Sequence, residues 1–168
     1  MSWILKTDDT ELCIHAGPSP VITALTGKAG RNWAASPTEV ALPKRLTVGK
    51  KQVPLKWVYE GAEFDESPNA TRLVLTYKAE GYDVVLRSIW TSHPGPGAIE
   101  HGMTIKNDIK DSSITIYNPD SLNCELSAGE GRVEVFYVAK NRNVPRIRGT
   151  QCHVGTYLDE LVPRYHAD

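Results

Sequence analysis

The fold is decided by residues 73–90, which read LVLTYKAEGYDVVLRSIW. Leu73, Leu75 and Tyr77 share one face of a strand, because side chains two residues apart in a strand point to the same side. Residues 78–81 have the composition of a turn, and residues 82–90 return with apolar side chains on both faces. That pattern is typical of a central, buried strand. The segment therefore predicts two adjacent strands, with function in a platform or groove rather than in a buried phosphate loop.

Short apolar runs separated by turn residues continue through most of the chain. They predict strands at 12–14, 21–25, 46–48, 53–59, 99–106, 114–116, 122–126 and 132–138. Pro54 favours an edge position for its strand, and the glycines and prolines of 26–45 favour a loop. Strands at roughly 8–12-residue spacing indicate an all-β, antiparallel β-sandwich. The predicted core is formed by Leu73, Leu75, Val84, Leu86, Ile105, Ile116 and Val135.

Length and charge restrict the classes of partner. The 168 residues predict a single domain, 1–168, and 19 basic side chains nearly balance 20 acidic ones. A basic stretch at 28–56 is followed directly by an acidic one at 60–66, so we predict solvated faces and no nucleic-acid partner. No stretch approaches the roughly 20 apolar residues of a membrane span, and no membrane partner is predicted.

The cysteines and the two ends of the chain bear on compartment and domain borders. Cys13, Cys124 and Cys152 are an odd number without paired spacing, and Cys124 is predicted to be a buried thiol. These unpaired cysteines, together with the lack of a leader pattern at 1–7, favour a reducing, cytoplasmic compartment. One turn of helical apolar spacing at 158–162 then stops, which predicts a border with a following catalytic domain.

Catalytic and metal-binding patterns are not seen in the sequence. No nucleophile-elbow motif occurs, and the histidines are scattered without metal-ligand spacing. We therefore predict no catalytic residue, no metal and no cofactor for this chain alone.

Carbohydrate recognition is the chemistry that the aromatic residues favour. A sugar presents C–H groups on one face, so an exposed aromatic ring beside polar side chains suits it. The candidate carbohydrate-binding residues are Arg31, Asn32, Trp33, Trp90, His93, Glu100 and His101. The alternative is that Trp90 and Trp57 are core residues, that Trp33 plugs the end of the sandwich, and that residues 93–97 only turn the chain.

Residues 53–126 resemble the N-terminal β-supersandwich domain of family 36 glycoside hydrolases, the α-galactosidase-like enzymes. The resemblance is carried by LVLTY at 73–77, YDVVLRS at 82–88, MTIKND at 103–108, ITI at 114–116 and DSLNCEL at 120–126. It implies a galactose-mutarotase-like sandwich whose catalytic aspartates lie on a following barrel domain. The expected role is then a non-catalytic accessory domain that contacts the barrel, another copy of the chain, or a sugar.

Three alternative functions are also consistent with the sequence. The first is a free-standing carbohydrate-binding module, which would bind sugar without a partner domain. The second is an aldose-epimerase-like enzyme, because aldose epimerases share the architecture and use a histidine with a glutamate, residue types that His93, Glu100 and His101 supply. The third is a structural interaction domain with no ligand.

Overall fold

The computed structural model describes residues 1–34, 36–110, 112–116 and 124, together with the backbone of 133–139 and 151–157. The chain divides into two units, Met1–Ser127 and Ala128–Asp168. Among these residues every regular element is a strand and every strand pairing is antiparallel. The all-β, antiparallel sandwich predicted from the sequence is confirmed.

Thirteen strands lie within the described residues, eleven in the first unit and two in the second. They are β1 (Ser2–Lys6), β2 (Thr10–His15), β3 (Val21–Gly27), β4 (Thr38–Glu39), β5 (Arg45–Val48), β6 (Lys51–Pro54), β7 (Trp57–Glu66), β8 (Thr71–Ala79), β9 (Val84–Ser92), β10 (Glu100–Asn107), β11 (Ile114–Ile116), β12 (Val133–Ala139) and β13 (Gln151–Tyr157). In the second unit, β12 and β13 pair with each other.

The first unit contains three sheets. The first sheet has the order β1-β2-β3-β4, the second β10-β9-β8-β7, and the third β11-β5-β6. Two of the turns have glycine where the backbone needs a positive φ angle. Gly49 before β6 and Gly81 before β9 have φ angles of 59° and 78°, a backbone conformation that glycine adopts without steric cost. Pro54 lies in β6, an edge strand of the third sheet, as predicted.

One hydrophobic core joins the three sheets of the first unit. Its buried members include Leu5 and Ile14 from the first sheet, Leu75 from the second, and Leu46 from the third, and β1 lies against β8 and β9. The predicted core residues Leu73, Leu75, Val84 and Leu86 are fully buried, while Ile105 and Ile116 are half-buried against the same cluster. The side chain of Val135 lies outside the described residues.

The predicted strand at 53–59 is wrong, because the chain changes sheet within it. Pro54 ends β6 and Trp57 begins β7 in the second sheet. Between them the Leu55 amide donates to the Lys44 carbonyl at 2.8 Å, and the Trp57 indole Nε1 donates to the Pro43 carbonyl at 2.8 Å. These two contacts with the preceding loop accompany the change of sheet.

Other boundaries differ less from the predictions. The chain at 2–6 forms β1, which the sequence did not predict, and β7 continues through the acidic stretch to Glu66. The strand predicted from residue 82 begins at Val84, and the predicted loop at 26–45 contains the short β4. Both the predicted strand at 122–126, apart from residue 124, and the predicted helical turn at 158–162 lie outside the described residues.

Cys13 and Cys124 are both free thiols. Cys124 is half-buried rather than buried, and desolvation raises the pKa of its thiol above the ordinary value. The Cys152 side chain lies outside the described part of the chain.

Candidate functional site

The turn between β1 and β2, residues 7–10, holds the loop that follows β9. The Asp8 amide donates to the Gly95 carbonyl at 3.0 Å, and the Gly97 amide donates to Asp9 Oδ1 at 3.1 Å. The Thr7 hydroxyl lies 3.0 Å from both the Gly97 carbonyl oxygen and Asp9 Oδ1, and its single proton is donated to one of them at a time. Two amide hydrogen bonds and this hydroxyl contact therefore fix the loop at 93–97 against a turn that is almost ninety residues away in the chain.

Asp9 is the charged centre of this contact. Its Oδ1 also accepts hydrogen bonds from the hydroxyls of Thr7 at 3.0 Å and Thr10 at 3.3 Å. The Gly97 amide first, and then the Thr7 hydroxyl, lower the pKa of Asp9 below its ordinary value of 3.8, because both favour the charged form. Asp9 is therefore an ionised acceptor with defined partners.

We predict that acid loosens this loop. Since the pKa of Asp9 is lower in the folded state than in the unfolded one, its contribution to folding is complete above pH 3.8 and is lost as the pH falls through the folded value. In an NMR titration, the Gly97 amide shift should change with a midpoint below pH 3.8, and Asp9→Asn should abolish that change. A midpoint at or above 3.8 would contradict the hydrogen bond.

Hydrogen bonds with nearby residues fix the backbone segment that carries Trp33. The Trp33 amide donates to the Leu25 carbonyl at 2.7 Å. The Asn32 side-chain oxygen accepts from the amides of Leu25 and Ala34, both at 3.0 Å. Asn32 also forms an isolated bridge with Thr26. The Asn32 side-chain oxygen therefore has a structural role, which is to fix the position of the tryptophan.

Trp33 is 38% exposed, and Arg31 lies over its ring. The Arg31 guanidinium carbon lies 5.0 Å from the ring centroid, within the range of a cation–π contact. A Cβ atom built on Gly27 would lie 3.9 Å from Trp33 Nε1 and 4.0 Å from the Asp9 carbonyl oxygen. Gly27 therefore lies near both the Trp33 indole and the β1–β2 turn, and this turn in its own right holds the 93–97 loop. We use the name Trp33 site for Trp33, its neighbour Arg31 and this turn.

His93 and Glu100 lie at the two ends of the same loop. His93 Nε2 is 3.9 Å from Glu100 Oε2, and both side chains are more than half exposed. His93 Nδ1 lies 3.3 Å from the Asn69 carbonyl oxygen. The pair offers polar groups to solvent beside the loop.

Trp90 and His101 lie elsewhere, in and beside the core. Trp90 is only 3% exposed, so it cannot offer an open face to a sugar, and the alternative that it is a core residue is the one the structure favours. Its indole Nε1 donates to the Ser88 hydroxyl at 2.9 Å, and its ring lies over the His101 ring with centroids 3.9 Å apart. Trp57 is buried as well.

Ser88 and His101 form a hydrogen-bonded pair, with Ser88 Oγ 2.9 Å from His101 Nε2. A serine activated by a histidine is a nucleophilic arrangement, but such a nucleophile needs access to a substrate. Ser88 has no exposed surface, and its oxygen already accepts from the Trp90 indole. In this conformation the pair can organise the core and cannot attack a substrate.

Thr7 and Asp9 are not among the residues predicted from the sequence. Threonine and aspartate in a short polar stretch between strands are a turn signal, because their side chains bond to nearby backbone groups. That signal could have identified the turn, whereas its contact with Gly97 depends on the tertiary fold.

Within the described ranges, no helix is long and apolar enough to cross a membrane, and no group of three or more His, Cys, Asp or Glu side chains could hold a metal ion. Comparisons of the chain with models of protein families, with curated proteins and with solved structures find no match.

Proposed function

We propose that this chain is a non-catalytic, carbohydrate-binding accessory domain of an α-galactosidase-like glycoside hydrolase. The observation that carries the binding role is the Trp33 ring, which is part-exposed and set on a backbone with defined hydrogen bonds. The parent enzyme is inferred from the resemblance of residues 53–126 to the family's N-terminal sandwich.

A fixed aromatic surface suits a weak sugar ligand. Stacking on a ring that is already in position avoids the entropy cost of ordering a loop upon binding. Arg31 lies over the ring, and His93 and Glu100 are exposed beside a loop that the same turn holds. An apolar ring with the polar Arg31 guanidinium beside it matches the two kinds of surface that a pyranose presents.

The resemblance places the catalytic aspartates on a following barrel domain, so we propose that this chain alone has no turnover. An aldose-epimerase-like reaction needs a histidine free to exchange a proton with substrate. The Nε2 atom of His101 is hydrogen-bonded to the buried Ser88, which leaves the exposed His93, 3.9 Å from Glu100, as the histidine that such a reaction would use. We expect purified chain to release no nitrophenol from an aryl α-galactoside and to epimerise no aldose. Turnover that is lost on replacing His93 or His101 would favour the epimerase instead.

The binding role is tested by Trp33→Ala. The wild-type chain should bind galactose or raffinose with a dissociation constant near the millimolar range, about −4 kcal/mol, and loss of the stacking ring should abolish detectable binding. Binding is followed by NMR, where shifts should be confined to residues 7–10, 31–33 and 93–100. Tryptophan fluorescence provides a second signal.

Phe64→Ala is the matched control for that experiment. Phe64 has the same exposed fraction as Trp33, 38%, but lies in β7 of the second sheet. Its replacement should leave the sugar-induced shifts unchanged. A saturating sugar concentration that produces no shifts near Trp33 in the wild-type chain would contradict the proposal and favour a structural interaction domain.

A further inference from the structure

We propose that the sugar bound at the Trp33 site is an acidic one, a pyranose that carries a carboxylate, and that Arg31 is the residue that binds this carboxylate. The inference rests on the proposed function, since it names the class of sugar for the same site. The Arg31 guanidinium lies 5.0 Å from the centre of the Trp33 ring.

The Arg31 guanidinium has no ionic partner among the residues described. Several exposed lysines of the first unit do have one: Lys6 pairs with Glu11, Lys56 with Glu80, Lys78 with Asp83, and Lys106 with Asp108. Arg31 contacts an aromatic ring instead, which leaves its N–H groups available to an anion. A guanidinium binds a carboxylate in a bidentate, charge-assisted manner, which is stronger than bonding to a neutral hydroxyl.

The position of Arg31 suits a uronic acid. In a uronic acid the carboxylate replaces the exocyclic hydroxymethyl group, so it projects from the rim of the pyranose ring. A sugar in contact with the exposed part of the Trp33 ring would lie close to the Arg31 guanidinium, because that group is 5.0 Å from the ring centroid. The stacking ring and the anion-binding group are therefore two residues apart in sequence and close in space.

The acidic side chains Asp9 and Glu11 are not ion-pair partners of Arg31. The Asp9 side chain is directed to the Gly97 amide and to the hydroxyls of Thr7 and Thr10. Glu11 is paired with Lys6 at 2.7 Å. Both carboxylates thus have partners of their own, and neither is within ion-pair distance of Arg31.

The experiment compares galacturonate with galactose, which differ only in having a carboxylate or a hydroxymethyl group at the same carbon. By NMR titration of the wild-type chain, we expect galacturonate to bind about tenfold more tightly than galactose, as a charge-assisted hydrogen bond implies. Arg31→Gln should bring galacturonate to the level of galactose. Arg31→Lys should keep part of the difference, because it retains the charge and loses the bidentate geometry.

Arg87→Gln is the matched control, because Arg87 is an exposed arginine of β9 whose neighbours Leu86 and Ser88 face the core. It removes the same charge and should leave both affinities unchanged. An equal loss of galacturonate binding in Arg87→Gln and Arg31→Gln would overturn the role of Arg31 in favour of a general charge effect.

Two further outcomes separate this inference from the proposed function. Equal affinity for galactose and galacturonate, both lost in Trp33→Ala, would overturn the acidic-sugar inference and leave the carbohydrate-binding role intact. If neither sugar shifts any resonance near Trp33, both fail.

Discussion

Leu86→Ala is expected to destabilise the first unit by about 2–5 kcal/mol, because the removed side chain leaves a cavity in a packed core. Leu86 has no exposed surface and lies in β9 between Tyr77 of β8 and Ile105 of β10. Neighbouring strands on both sides limit how far the backbone can move to fill the space. In a thermal melt, the midpoint should fall on the order of 10 °C.

Ile4→Ala is the control for that experiment. Ile4 is an aliphatic strand residue of similar size that is 46% exposed, and its replacement should change the unfolding free energy by no more than about 0.5 kcal/mol. Urea unfolding of both variants gives the comparison directly. An unchanged midpoint for Leu86→Ala would show that the Leu86 side chain does not face the core.

Ser88→Val is expected to destabilise the first unit by about 2–5 kcal/mol, for two reasons that a second variant can separate. Valine removes the acceptor of the Trp90 indole and the partner of His101 Nε2, and it adds volume at a position with no exposed surface. Threonine has nearly the same shape as valine but keeps the hydroxyl. Ser88→Thr should therefore be more stable than Ser88→Val by about 1–3 kcal/mol.

The Trp90 indole proton gives a local readout for the same pair of variants. Its NMR shift should move in Ser88→Val and stay close to the wild-type position in Ser88→Thr. Equal stability of the two variants would show that the hydroxyl contributes nothing to the core.

Tyr77→Phe removes a buried hydroxyl that, unlike the hydroxyl of Ser88, has no hydrogen-bond partner among the described residues. The Tyr77 hydroxyl is buried and has no hydrogen-bond partner among the groups described, and desolvation raises the pKa of Tyr77 well above its ordinary value. Because an unpaired buried hydroxyl is unfavourable, its removal should leave stability unchanged or increase it. The change in the free energy of unfolding should therefore be opposite in sign to that of Ser88→Val. The comparison distinguishes a buried hydroxyl with hydrogen-bond partners from one without.

The sequence by itself determined the fold class and the buried face of the central strands. Leu73, Leu75 and Leu86 could be assigned to the core because strand pleating has a period of two residues, and a residue's phase can be read without knowing its neighbours. Local rules also placed Pro54 on an edge strand. Where the chain leaves one sheet for another, as between Pro54 and Trp57, the local pattern is the same on both sides and carries no information.

Only the tertiary structure decided which candidate residues lie together. In the sequence both Trp33 and Trp90 are candidate sugar-binding residues, with a core position expected more for Trp90 because it lies on a strand; the register of β8, β9 and β10 buries Trp90 beside Ser88 and His101. Trp33 lies in a segment held along β3, where the Trp33 amide donates to the Leu25 carbonyl and the Leu25 amide donates to the Asn32 side-chain oxygen. The contact of Asp9 with Gly97 joins residues far apart in the chain, so it follows from strand order, which no local pattern of residues encodes.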